Sequence, residues 1–275
     1  MLSYVSAFVL LSALLHASWN AILHGNRDRF VSMTWMSIGI GCVAAVAVTL
    51  LPLPAASACP FVIASGITHN FYNLGLVYAY RRGDLGVVYP IARGASPLLV
   101  ATGAALVAGE MLGPAKIAGV CLVSAGIVTL AFQRGQLSRS SLVAALATGV
   151  MIALYTVIDG VGVRLSGNSV SYNAWTFLFY LALPPIFIAR RGLRALKVPS
   201  IEISSSVAGG LVSIAAYGIV VWAMQFDAMG VVSAIRETSV VFAVIIGRIF
   251  LREELTAKRF LSCIVIAAGA ICIGS

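Results

Sequence analysis

Two arginines stand inside long apolar runs of this sequence, Arg93 within residues 86–97 and Arg236 within residues 230–239. An arginine at the centre of a membrane helix costs roughly 2.5–3.5 kcal/mol on insertion scales, so it faces an interior partner or a wet cavity. A guanidinium held there can grip a carboxylate or phosphate through two parallel hydrogen bonds. Tyr89, Arg93, Ser96 and Pro97 share one helical face, and Ser233, Arg236 and Ser239 form the matching one, with Glu237 adding a carboxylate next door. Glu237 also offers the alternative use, an internal Arg–Glu ion pair that only holds helices together. Pro90 and Pro97 remove two backbone donors and leave carbonyls for other partners.

Further polar side chains recur at helical spacing in otherwise apolar stretches. His16, Trp19 and Asn20 stand at i, i+3 and i+4; Tyr155 and Asp159 are one turn apart; Asn70 and Asn73 point one way; Tyr217 lies deep in its run. Such a stripe either faces a cavity or hydrogen-bonds across a helix interface. With Arg93, Arg236, Tyr89 and Ser239, the residues Trp19, Asn20, Asn70, Asn73, Tyr155 and Tyr217 make up a candidate binding set. His16, Asp159 and Glu237 are candidates to couple protons to the binding of a solute. Asp159 also reads as an interfacial carboxylate, because it lies near the expected end of its helix. There is no P-loop, HExxH pair or Ser-His-Asp constellation, so no enzyme activity, cofactor or metal is expected.

The elements that position these groups follow from composition. Of 275 residues, 60% are hydrophobic and 10% charged, and the mean hydropathy is +1.01. Soluble domains carry about 25% charge, so the chain reads as an all-α integral membrane protein in contact with lipid throughout. Net charge +9 then marks basic loops rather than a nucleic-acid surface. At about 20 residues per crossing, breaks at charged, Pro and Gly clusters give ten helices near 2–23, 31–51, 60–80, 85–109, 113–132, 142–163, 171–189, 203–225, 229–251 and 257–274. The first lacks a basic leader and reads as a retained helix. The five cysteines form no CxxC pair and are expected as buried thiols. Pro184 and Pro185 mark a kink or a stop, Trp222 suits an interfacial belt, and Glu110, Glu253 and Glu254 suit helix-end pairing. Small residues at Gly119, Gly126 and Gly269 suit close packing inside a monomer or across a homodimer.

The chain also repeats. Arg93, Ser96, Glu110 and Gly126 recur 143 positions later as Arg236, Ser239, Glu253 and Gly269, and His16 falls at the same offset from Asp159. Two five-helix repeats result, 1–136 and 137–275. Five is odd, so the second copy inserts upside down, an arrangement found in secondary transporters with a midplane site. Odd-numbered loops hold 13 basic residues and even-numbered loops hold two, which puts the odd loops in the cytoplasm and both termini outside. Each arginine then sits about 12 Å along a helix entering from opposite faces.

Pro90, Arg93 and Pro97 followed by Gly109-Glu110, the second-half echo ending in Glu253-Glu254, and the segments 16–20 and 155–160 resemble the EamA-type branch of the drug/metabolite transporter superfamily. The resemblance covers nearly the whole chain. It implies ten helices, two EamA repeats and movement of small metabolites, commonly efflux of amino acids or related solutes. Many such relatives have cytoplasmic termini, whereas the charge count here puts them outside. Val240 stands where a second Pro97 is expected, so the half-sites are not equivalent. The expectation is a bacterial inner-membrane secondary transporter moving a small anionic or zwitterionic metabolite by alternating access. A membrane-embedded enzyme and a non-transporting scaffold or sensor are the rival classes.

Overall fold

A computed structural model describes residues 3–23, 26–82, 85–131, 139–250, 252 and 255–274, with the side chains of 76–82, 85–87, 131 and 140 left aside. Glu253 and Glu254 and most of the joint at 134–139 lie outside the described residues. The helices are α1 Tyr4–Ile22, α2 Arg29–Leu50, α3 Cys59–Arg82, α4 Leu85–Ala108, α5 Pro114–Ala131, α6 Arg139–Ser166, α7 Ser169–Leu178, α8 Leu183–Arg191, α9 Ser200–Ala223, α10 Met229–Glu237, α11 Ser239–Phe250 and α12 Ala257–Gly274. Among the described residues, eight helical runs are long and apolar enough to cross a membrane, with α7 and α8 counted as one and α10 and α11 as another. The more polar α3 and the shorter α5 complete ten rods.

Two expected helices are broken. The first break is a 3₁₀ turn over Phe179–Ala182 between α7 and α8, where Pro184 and Pro185 supply no backbone N–H. The second falls at Thr238, which has no proline. Its hydroxyl donates to the Ile235 carbonyl at 2.7 Å, and its N–H bonds the same oxygen at 3.1 Å. That i−3 bond tightens the last turn of α10, and α11 starts afresh at Ser239. By contrast α4 runs straight through Pro90 and Pro97. Pro97 cannot donate to the Arg93 carbonyl, and the Ser96 hydroxyl does so instead at 3.1 Å.

Neighbouring rods pack in pairs: α5 with α12, α1 with α9, α3 with α6 and α4 with α6, while α1 also lies along α10 and α11. The tightest seam is α5 on α12. A Cβ at Gly119 would stand 2.7 Å from the Gly269 carbonyl, and one at Gly269 would stand 2.8 Å from the Gly119 carbonyl. These glycines therefore meet within the chain. The cysteine expectation is not met: Cys42, Cys59 and Cys121 are exposed on the outer surface and Cys263 and Cys272 are half-buried, because a membrane protein turns apolar faces outward as readily as inward.

The two ends of the bundle are tied differently. At the end where α1 runs into α2, Asp28 caps α2 by accepting from Phe30 N–H at 2.8 Å and Val31 N–H at 3.2 Å, and it pairs with Arg191. At the opposite end Glu110 accepts from Met229 N–H at 2.8 Å and pairs with Arg164 at 2.5 Å. Arg164 also donates to the Met224 carbonyl at 2.7 Å, and Lys116 stands 3.5 Å from Asp227. Glu110 thus caps α10, as expected of a helix-end glutamate, and Trp222 sits among Tyr4, Phe8 and Phe226 as an aromatic cluster.

Partial burial raises the Asp28 carboxyl, but the Arg191 guanidinium and the two capping N–H groups outweigh it and hold the group below the usual range. A depressed folded-state pKa adds stability above the unfolded value of about 3.9, lost as pH falls through the folded one. Asp28→Ala is expected to cost about 1 kcal/mol, the usual worth of an N-cap. In detergent melts from pH 7 to 3, the gap between native and variant should shrink toward the acid end.

Candidate functional site

A cavity of about 120 Å³ lies between the two broken rods, with walls from α1, α2, α3, α4, α6, α7 and the 3₁₀ turn after it, α9 and α10. That is room for several water molecules at roughly 10–15 Å³ each. Its lining uses the last half of α1, the first half of α2, the last half of α3 and the start of α4, so it extends from mid-depth toward the Asp28–Arg191 end. The ion pairs described above lie at the Glu110–Arg164 end, away from this lining.

Arg93 and Arg236 both line this cavity and are only 2% and 4% exposed. Their shared counter-charge is Glu237, fully buried, at 2.7 Å from Arg93 Nε and 3.4 Å from Arg236 Nη2. Arg93 also donates to the Ser239 hydroxyl at 3.0 Å, across the two halves of the sequence. Its guanidinium lies 5.4 Å over the Tyr89 ring, and that of Arg236 lies 5.8 Å over the Tyr217 ring and 3.5 Å from the Tyr155 hydroxyl. The carboxylate next to Arg236 in sequence therefore serves both arginines from the last turn of α10, two residues ahead of the start of α11 at Ser239.

The expected polar residues divide into two groups. His16, Trp19, Asn20, Asn73, Tyr89, Tyr155 and Tyr217 face the cavity together with both arginines. Asn70, Asp159, Glu237 and Ser239 are not among its lining residues. Asn70 is used to hold the α7–α8 break: its amide donates to the Phe179 carbonyl at 2.9 Å and to Gly66 at 2.8 Å. Asp159 is not interfacial, since α6 extends to Ser166 and the residue is fully buried. Its two oxygens accept from Tyr172 at 2.9 Å and Tyr217 at 2.6 Å. Gly162, one turn further on, leaves the space that the Tyr172 hydroxyl fills. On α1, the buried Trp19 Nε1 and His16 Nε2 reach into the cavity wall with no protein hydrogen bond.

Sequence reasoning missed His69. It lines the cavity, stacks 4.2 Å from Tyr155, and holds Nε2 4.0 Å from Asp159. Its Nδ1 lies 3.0 Å from the Ser65 carbonyl. The available signal was the stripe Ser65, His69, Tyr72 and Asn73, which keeps one face of α3 polar. Tyr172 and Tyr180 had no such signal, because their partners are on other helices.

The comparisons with known proteins bear on what this arrangement is. A family model described as the EamA-like transporter family matches residues 139–275. The chain belongs to that family through this half. A solved structure described only as a crystal structure of a protein superposes on this EamA-family chain with a TM-score of 0.76, over 99% of this chain and 98% of its own, at 19% identity. At that identity the likeness speaks for the fold. No curated protein matches. The family is one of membrane transporters, which accords with a multi-pass helical chain carrying a polar cavity inside an apolar bundle.

Proposed function

We propose that this EamA-family chain is a ten-helix secondary transporter moving a small anionic or zwitterionic metabolite across the bacterial inner membrane by alternating access. The observation that carries the ligand class is the sidedness of charge. Both guanidiniums line the cavity, and both nearby carboxylates, Glu237 and Asp159, stand behind its wall. A solute entering therefore meets positive charge first, in a setting where water screens it weakly. Trp19 Nε1–H adds an unspent donor on the facing helix.

Helix pairing supports two inverted five-helix repeats, 1–136 and 137–275. Under the offset of 143, the contact of Gly119 with Gly269 maps onto that of Gly126 with Ser262, whose carbonyl lies 3.2 Å from the Gly126 Cβ position. Likewise α1 on α9 maps onto α3 on α6. The basic-residue count favours a cytoplasmic Asp28–Arg191 end with both termini outside, so the cavity would extend toward the cytoplasm, which suits efflux. Proton coupling, if the cycle uses it, falls to His16, Asp159 or Glu237; of these His16 reaches the cavity directly.

A thermal-shift screen of carboxylates and phosphates on purified protein, followed by flux in proteoliposomes, tests the assignment. Arg93→Lys and Arg236→Lys keep the charge but lose the planar fork. Each is expected to fold and to lower uptake of any hit at least about tenfold, a loss of about 1.4 kcal/mol in transition-state binding. Native flux in both variants removes the arginines from the mechanism.

A further inference from the structure

His69 lines the cavity and also reaches Asp159, the carboxylate behind its wall. The two ring nitrogens meet different groups. Nδ1 lies 3.0 Å from the Ser65 carbonyl and 3.1 Å from the Ser65 hydroxyl. A carbonyl only accepts, so Nδ1 carries a hydrogen. In a neutral ring the lone pair is then on Nε2, which stands 4.0 Å from Asp159 Oδ2. The Asp159 oxygens accept from Tyr172 and Tyr217, so the carboxylate offers no hydrogen to Nε2. A lone pair thus confronts a negative charge where water screens it weakly. A proton on Nε2 turns that repulsion into an ion pair.

The surroundings of the ring tie this proton to the arginines. It is faced by Tyr155 and Asp159 from α6, Tyr180 from the 3₁₀ turn, Tyr217 from α9 and Arg236 from α10, with Tyr172 of α7 on the far side of Asp159. Tyr155 stacks 4.2 Å from His69 and meets Arg236 Nη2 at 3.5 Å. Tyr217 donates to Asp159 and lies 5.8 Å from the Arg236 guanidinium. Arg236 opposes a second positive charge on His69, and an anion seated on Arg236 offsets that opposition. We propose that His69 is a proton-binding site in the cavity wall, with Asp159 as its fixed counter-charge, and that proton and anion bind the cavity together. This rests on the anion-binding reading above and adds His69 to its proton-coupling groups.

Nitrogen NMR of the native protein in lipid nanodiscs, with isotope-labelled histidine, tests the site; the chain has three histidines, and His69→Gln assigns the signal. The neutral ring should carry its hydrogen on Nδ1, and Nε2 should gain a proton between about pH 8 and 5. Asp159→Asn, which removes the charge, should leave the ring neutral over that range. A neutral ring with its hydrogen on Nε2, or an Nε2 that stays bare down to the acid end, overturns the proposal. Isothermal titration with methanesulfonate, an oxyanion that does not itself titrate in this range, tests the coupling. Its affinity should rise at least about fivefold from the alkaline to the acid end, and its binding should draw a proton from the buffer. His16→Gln should keep both effects and His69→Gln should lose them. If the anion binds with no proton uptake, or the rise survives in His69→Gln, this inference falls and the anion-binding reading stands. If neither methanesulfonate nor any carboxylate or phosphate binds, both fall.

Discussion

Glu237→Ala is expected to destabilise the protein by about 3–5 kcal/mol, the usual cost of stripping one partner from a buried ion pair. The reason is specific to this site. Glu237 is the near carboxylate for two buried guanidiniums, at 2.7 Å and 3.4 Å, and its loss leaves both charges in a low-dielectric interior. Arg93 would retain the Ser239 hydroxyl at 3.0 Å, which carries no charge. Unfolding in mixed micelles measures the loss. Adding Arg93→Met to Glu237→Ala should recover a large part, since replacing both ends of a buried pair by apolar groups is often close to neutral. If the single variant stays within about 1 kcal/mol of native, Glu237 is not the counter-charge that holds the arginines in place.

Asp159→Leu should give the second large loss, also about 3–5 kcal/mol. The carboxylate accepts two hydrogen bonds, from Tyr172 at 2.9 Å and Tyr217 at 2.6 Å. Hydrogen bonds to a charged group contribute about 1.5–3 kcal/mol each, and buried hydroxyls left unpaired add a desolvation cost. Asp159→Asn keeps one carbonyl acceptor and should lose about half as much. Combining Asp159→Leu with Tyr172→Phe and Tyr217→Phe removes the orphaned hydroxyls, so the triple variant should be more stable than the single. Additive losses across the three positions would mean that the tyrosines find other partners and the network does not act as a unit.

How much of this was written in the sequence depends on the range of the interaction. Apolar runs are local, and they mark out the rods and the cavity-facing positions His16, Trp19, Arg93 and Arg236. Glu110 at a helix end was legible for the same reason, since capping is a short-range matter. The break at Thr238 was not, because no proline or glycine marks it; a threonine hydroxyl turning back on the Ile235 carbonyl is an outcome of tertiary fit. Asn70 was placed on the right face of α3, yet it serves a carbonyl exposed by a break in a different rod. Asp159 was misplaced by a boundary error of a few residues, which at a helix end is the difference between surface and core. His69 escaped notice because its partner Asp159 lies 90 positions away in sequence, and no periodicity records that pairing.

The interruption at Thr238 has one more implication. Both α10 and α11 lie against α1 and α12, and α10 alone also lies against α4 and α5. A single-residue joint therefore divides this rod into two levers that share one side of the bundle and differ on the other. Arg93 bridges the joint, gripping Glu237 on one lever and Ser239 on the other. On the proposed anion-binding reading, a ligand that drew the Arg93 guanidinium toward itself would loosen both grips at once and so bear on the angle between the levers.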